Sequence, residues 1–226
     1  KPDRFAVYAY AHLPQMFKAQ RQLNAADLPA PETRLALLGL TIEKLIAAGY
    51  VYIGMDHFAL PQDELVIAQE NGTLHRNFQG YSTRGYCDLV GLGVSSIGKV
   101  GDNYMQNLKT LPEYYGALDR GELAVHRGLS LTRDDVIRRD VIQQIMCYGV
   151  LDYDKTSERF GIDFRSYFAS ELLTLEPMVA DGLAEFTEPG LRVLPAGRLL
   201  LRHLGMAFDA YLASAQAAQQ RFSKAI

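Results

Sequence analysis

Hydrophobic positions along this 226-residue chain change their spacing several times, and each change marks an element. Residues 5–10 (FAVYAY) are aromatic and β-branched, which predicts a buried strand. Residues 14–23 predict a helix, and the proline-bearing stretch NAADLPAPE (24–32) predicts a loop. Over residues 31–48 the apolar positions Leu35, Leu38, Ile42, Leu45 and Ile46 fall on one helical face. Gly49 then stands where a left-handed helix end is expected, and residues 50–55 (YVYIGM) predict the next strand. Strand, helix, strand in this order is the unit of a parallel sheet with helices outside, so an α/β architecture is expected.

The middle is less regular. Residues 62–70 predict a short helix, while 73–100 are glycine- and hydroxyl-rich and predict loops with short strands. Such a stretch suits close approach of backbone to a ligand, or a tightly turned hairpin region. The pattern changes near Gly128. Thr132 with Asp135 three residues later forms a capping box written with Asp, opening a helix whose Val136, Val141, Ile145 and Met146 face inward. Helices follow over 155–161 and 163–180. Residues 182–197 then predict two short alternating strands joined by a Glu-Pro-Gly turn. A last helix is predicted over 196–216, carrying Leu199, Leu200, Leu204, Phe208 and Leu212. Helices with a β-hairpin wing make a winged-helix-like unit.

Composition narrows the picture. The chain is 48% hydrophobic and 22% charged, the balance of a globular protein with a core of its own. A formal charge of -3 gives no general attraction to nucleic acid or to an anionic membrane. No apolar run approaches the roughly 18 residues of a spanning helix. Two distant cysteines, Cys87 and Cys147, make neither a disulfide framework nor a zinc module, and fit a reducing cytoplasm. The first residues pass straight from charges into the first strand, which reads as part of a longer chain.

Candidate chemistry gathers in few places. His12 follows the first predicted strand and Asp56-His57 follows the second, placing two histidines at one rim of a parallel sheet. Each histidine equally suits a loop bond to a backbone carbonyl. Adjacent strand residues alternate faces and no HExxH spacing occurs, so His12, Asp56 and His57 are not expected to hold a metal. In HRNFQGY (75–81), Phe78 can stack on a planar ligand, Gln79 can hydrogen-bond one and Arg76 can fork onto a carboxylate. GLGVSSIG (91–98) lacks the lysine of a P-loop and the spacing of a dinucleotide fingerprint. Arg192, Arg198, Arg202 and His203 surround the wing, which opens a nucleic-acid reading. Glu185, Glu188 and Asp209 interleave with them and favour a module that packs on its neighbour.

Taken in order, YAHLP (10–14), GYVYIGMDHFALP, LHRNFQGYSTRG, DLVGLGVSSIG, LTRDDVIRRDVI and DGLAEF with AGRLLLR span nearly the whole chain. This series resembles the carboxyl-terminal portion of oxygen-independent coproporphyrinogen III oxidase, a family of radical S-adenosylmethionine enzymes of haem biosynthesis. The resemblance implies a partial β/α barrel over residues 1–127 and a mostly helical, winged domain over 128–226. It implies a parent enzyme in which a cysteine-held 4Fe-4S cluster and S-adenosyl-L-methionine generate a radical, and coproporphyrinogen III loses two carboxyl groups to give protoporphyrinogen IX. Two S-adenosylmethionine molecules bind in the family. Ala11 and Ile97 match contacts to the second, and Phe78 and Gln79 resemble its neighbours. His57, Arg76 and Arg84 are the candidates to meet the substrate's propionates.

The family's cysteine triad does not occur in these residues. The expectation is therefore that this chain alone binds no cluster and turns over no substrate. It should keep the N-terminal half of the same enzyme as its partner, or self-associate through an exposed barrel edge. Haem handling, as in related members of the superfamily, and nucleic-acid binding by residues 128–226 are the alternatives.

Overall fold

The computed structural model describes residues 1–212. Their strands form four small antiparallel sheets, with no closed barrel among the described residues. In the first sheet, β1 (Arg4–Ala6), β2 (Val51–Gly54) and β3 (His57–Ala59) lie in the order β1-β3-β2. Both outer strands pair antiparallel with β3. β1 and β2 thus run the same way, as the strand–helix–strand pattern predicts, but they are not neighbours. The parallel pairing is corrected by the turn at Met55 and Asp56, both left-handed at φ 45° and 68°. These two residues fold the chain back, and the predicted rim at 54–58 becomes a hairpin.

The predicted helix over 14–23 is instead a 3-10 helix, Lys18–Gln22, followed by another at Ala25–Asp27. Side chains here bind backbone groups at and just before the start of the predicted helix. Gln20 accepts from Leu13 N–H and donates to the Ala11 carbonyl at 3.1 Å, and Arg21 donates to the Pro14 carbonyl at 2.9 Å. Helix α1 (Pro31–Ala47) opens on proline and ends at Gly49, φ 86°, as predicted. None of its residues is buried, and Leu37 and Leu40 are 52% and 49% exposed.

Helix α2 (Glu64–Glu70) is capped by Asp63 and covers the first sheet in a small core with Ile53, Ala59 and Leu74. Strands β4 (His75–Asn77) and β5 (Gly80–Ser82) form a hairpin. β6 (Ile97–Val100), β7 (Asn103–Asn107) and β8 (Val125–Ser130) form an antiparallel sheet in that order, with α3 (Leu111–Asp119) between the last two.

Helix α4 (Arg133–Tyr148) starts with both arms of the Thr132–Asp135 capping box in place. Its inner face carries Ile137, Val141, Ile145 and Met146. Val136, expected inside, is only partly buried; the helix is rotated so that Ile137 enters the core instead. Around it stand β9 (Val150–Asp152), α5 (Tyr153–Phe160), α6 (Phe164–Tyr167), α7 (Ala169–Ala180), β10 (Ala184–Thr187) and β11 (Gly190–Val193). The predicted hairpin is extended by β9 into a three-stranded sheet. The main core joins Ile137, Val141, Leu175, Leu191, Leu204 and Phe208.

The final predicted helix is shorter than expected: a 3-10 turn Gly197–Leu200, then α8 (Leu201–Met206). Leu201, Leu204 and Phe208 are buried, whereas Leu199 and Leu200 are only partly so. The helix stops where Phe208 turns into the core and the Asp209 carboxylate accepts the Tyr211 N–H at 2.8 Å, a local bond that competes with helix. Residues 213–216 of the predicted helix lie outside the described residues. No helix among the described residues is long and apolar enough to cross a membrane.

Candidate functional site

A cavity of about 780 Å³ opens between the β4–β5 hairpin, the following loop, the β6–β7 strands and one face of α4. It brings together Arg76, Phe78, Gln79 and Arg84, four of the sequence-predicted site residues. It adds Lys99, Arg139 and Arg159, which sequence reasoning missed. With Asp88 and Asp140 also in its wall, the cavity holds five permanent cations against two carboxylates, on a chain that is net negative. That local excess favours an anionic ligand.

The hairpin builds one wall. Phe78 and Gln79 form its two-residue turn, braced by the Asn77 side chain accepting from Gln79 N–H at 2.9 Å. Phe78 is 58% exposed and meets the Tyr104 ring edge-to-face at 5.2 Å. The Arg76 guanidinium lies 5.6 Å over the Tyr81 ring, and its Nε is buried with no hydrogen-bond partner. Gly85 must lack a side chain, because a Cβ there would stand 1.9 Å from the His75 ring. Burial, aided by nearby Lys99, pushes the His75 imidazole below its usual pKa, so it adds no charge at neutral pH.

The remaining cations are partly engaged. Arg84 donates to the Tyr86 hydroxyl at 3.2 Å, Arg139 pairs with Asp102 at 3.1 Å, and Arg159 pairs with Asp140. The α4 wall has a polar edge in Gln143, whose amide accepts from Arg76 N–H at 2.9 Å and donates to the Arg76 carbonyl. No sequence signal could have paired residues 67 positions apart.

His57, Ala11 and Ile97 lie outside the lining of this cavity. His57 donates from Nδ1 to the Met55 carbonyl at 2.7 Å, leaving Nε2 as an acceptor 3.5 Å from the Tyr8 hydroxyl. It also meets the Tyr81 ring edge-on at 5.3 Å. The expected shared rim gives way here to a tyrosine-lined niche, because the chain turns back at Met55-Asp56. His12 neighbours Tyr10, ring to ring at 6.0 Å. Burial raises the Asp56 carboxyl above its usual range, against the pull of His57, Arg202 and Arg76. Among the described residues no group of three His, Cys, Asp or Glu side chains stands close enough to hold a metal ion.

Ile97 pairs with Gln106 across β6–β7, and the Ala11 carbonyl accepts from Gln20. Of the basic groups around the wing, Arg192 pairs with Glu185, and Arg198 donates to the Tyr52 carbonyl at 3.0 Å. Both contacts are intramolecular, and the Arg192 side chain stays 62% exposed.

Comparison with known proteins follows the same lines. The family model of the HemN C-terminal domain matches residues 131–200, beginning at the start of α4. The chain is 54% identical over 226 residues to the oxygen-independent coproporphyrinogen III oxidase of Pseudomonas aeruginosa, a match covering 100% of this chain and 49% of that protein. It is 44% identical over 226 residues to the protein of the same name from Thermostichus vulcanus, covering 100% of this chain and 69% of that one. Among solved structures, coproporphyrinogen III oxidase (HemN) from Escherichia coli, a radical SAM enzyme, superposes with a TM-score of 0.89 at 50% identity. That superposition covers 93% of this chain and 49% of the solved one. The chain thus spans about half the length of the Pseudomonas and Escherichia relatives.

Proposed function

The chain belongs to the oxygen-independent coproporphyrinogen III oxidase family, and from that membership we propose that it forms the substrate-facing portion of such an enzyme. In the parent enzyme two propionates of coproporphyrinogen III are oxidatively decarboxylated to vinyls, each losing carbon dioxide, a proton and two electrons, giving protoporphyrinogen IX. The observation that carries the reading is the cavity lined by Arg76, Arg84, Lys99, Arg139 and Arg159. A macrocycle bearing four propionates needs such cations for its carboxylates. Arg76, Arg84 and, from its tyrosine-lined niche, His57 are assigned to the substrate.

Phe78 and Gln79, with Ala11 and Ile97, are assigned to the second S-adenosylmethionine of the parent. An exposed aromatic and a side-chain amide on one turn suit a nucleoside, which supports Phe78 and Gln79 directly. The 4Fe-4S cluster does not fit this chain. Cys87 is exposed on a loop, Cys147 is buried near the end of α4, and no three-donor group accompanies either among the described residues. These residues alone therefore perform no radical step.

We assign residues 1–127 to the carboxyl-terminal part of a barrel and residues 128–226 to a helical domain with a hairpin wing. Helices α4–α7 followed by the β10–β11 hairpin support the second assignment. The exposed apolar residues of α1 are assigned to contact with the part of a parent-length protein that lies outside these 226 residues. The setting is the cytoplasm.

The test is a titration of the 226-residue chain with coproporphyrin III, the oxidised tetracarboxylate, and with its tetramethyl ester, followed by absorbance. Binding of the acid that weakens with salt, without binding of the ester, supports the reading. Equal binding of both would contradict it.

A further inference from the structure

We infer that Gln143, on α4, is a positioning residue for the carboxylate-binding wall: it sets the backbone that carries Arg76 and the Phe78–Gln79 turn. The inference rests on the reading of the cavity just given. Strand β4 has a hydrogen-bonded neighbour on one side only, β5. In a hairpin with a two-residue turn, the pair next to the turn exchanges ladder bonds and the following pair does not. Asn77 and Gly80 are the pair next to the turn, so Arg76, opposite Tyr81, points its N–H and C=O away from β5. Both groups face α4.

Gln143 meets them with the one side-chain group that offers an acceptor and a donor side by side. Its Oε1 accepts from Arg76 N–H at 2.9 Å, and its Nε2 donates to the Arg76 carbonyl. The amide replaces one residue of a missing strand. Its orientation is fixed twice over: the reversed amide would oppose like groups, and the Cys147 thiol lies 3.3 Å from Oε1 as a further donor.

Three residues along the same helix face, the Met146 carbonyl accepts from the Tyr81 hydroxyl at 2.9 Å, directly across the hairpin from Arg76. Helix α4 therefore grips both strands of the hairpin. What projects from the gripped segment is the Arg76 guanidinium and, two and three residues on, Phe78 and Gln79. Other groups fill cavity wall; Gln143 decides where these three stand.

Gln143→Glu and Gln143→Leu variants of the chain separate this role from simple packing. The Glu side chain is isosteric and keeps the acceptor. When ionised it faces the Arg76 carbonyl without a donor, and when protonated it regains one. The Glu variant should bind coproporphyrin III about tenfold more weakly than the native chain near pH 8, as expected for a lost buried hydrogen bond. Its affinity should recover as the introduced carboxyl protonates toward about pH 6, with a smaller change in the native chain. The Leu variant should be weak throughout.

Hydrogen exchange over residues 75–80, read by mass spectrometry, is the ligand-free measure. It should quicken in the Leu variant, and in the Glu variant at high pH only. Native-like affinity in both variants would overturn the inference, and so would unchanged exchange over 75–80. If the native chain bound no coproporphyrin III, the cavity reading would fall by itself, and the exchange result would still decide whether Gln143 sets the hairpin.

Discussion

The hydroxyl of Tyr81 donates to the backbone carbonyl of Met146 at 2.9 Å, tying the ligand-side hairpin to the last turn of α4. The bond is well shielded; burial raises the phenol's pKa far above its ordinary value, so it stays a donor at any physiological pH. Tyr81→Phe keeps the ring under Arg76 and removes only this donor. The variant should lose about 1 kcal/mol of stability. Urea unfolding followed by circular dichroism checks it, and an unchanged midpoint would show the bond to be dispensable.

Acid should destabilise the C-terminal unit through three carboxylates. Burial alone would raise Asp135, but the Thr132 hydroxyl and N–H, at 2.7 and 2.8 Å, hold it below its usual range. The Lys155 N–H lowers Asp152. Glu171 is lowered by the Ser170 hydroxyl and the Arg138 guanidinium, against burial. A folded pKa below the unfolded one contributes stability above the unfolded pKa and loses it as pH falls through the folded value. The melting temperature should therefore drop below about pH 4. Asp135→Asn should flatten part of that drop. A curve identical to the native one would contradict the capping-box contribution.

The two cysteines should react very differently. Cys147 is buried and its thiol is pushed up to about 12, so it carries almost no thiolate at neutral pH. Cys87 is exposed at the cavity wall. Maleimide labelling of native protein, read by peptide mass, should mark Cys87 and spare Cys147 until denaturant is added. Equal labelling of both would place α4 differently from the arrangement described here.

The uncovered face of α1 should make the 226-residue chain self-associate. Leu37 and Leu40 lie half-exposed on it, and β1 is an edge strand of the first sheet. Light scattering at micromolar concentration should report species larger than the monomer, and Leu37→Glu with Leu40→Glu should reduce them. A native chain that stays monomeric would remove this surface as an interface.

What the sequence disclosed follows from the range of the forces involved. The capping box at Thr132–Asp135, the end of α1 at Gly49 and the hairpin at 184–193 are set by residues a few positions apart, and all were legible. The pairing of β1 with β3 was not, because it depends on Met55 and Asp56 accepting left-handed conformations that their side chains do not advertise. The helix expected over 14–23 is replaced by short 3-10 turns, where Arg21 holds the Pro14 carbonyl that an α-helix would have used. At the site, Arg76, Phe78, Gln79 and Arg84 stood out as one short, chemically dense string. Lys99, Arg139, Arg159 and Gln143 carried no local signal, since their relation to that string exists only after α4 packs on the hairpin.

The central claim is that Arg76 meets a carboxylate of the substrate at this cavity. The direct measurement is made on a parent-length enzyme with Arg76→Ala, comparing the affinities for coproporphyrinogen III and for S-adenosylmethionine by equilibrium titration under anaerobic conditions. Losing one charge-assisted bond should weaken the porphyrinogen by about tenfold or more and leave S-adenosylmethionine within about twofold. Unchanged porphyrinogen affinity, or an equal loss for both ligands, would contradict it.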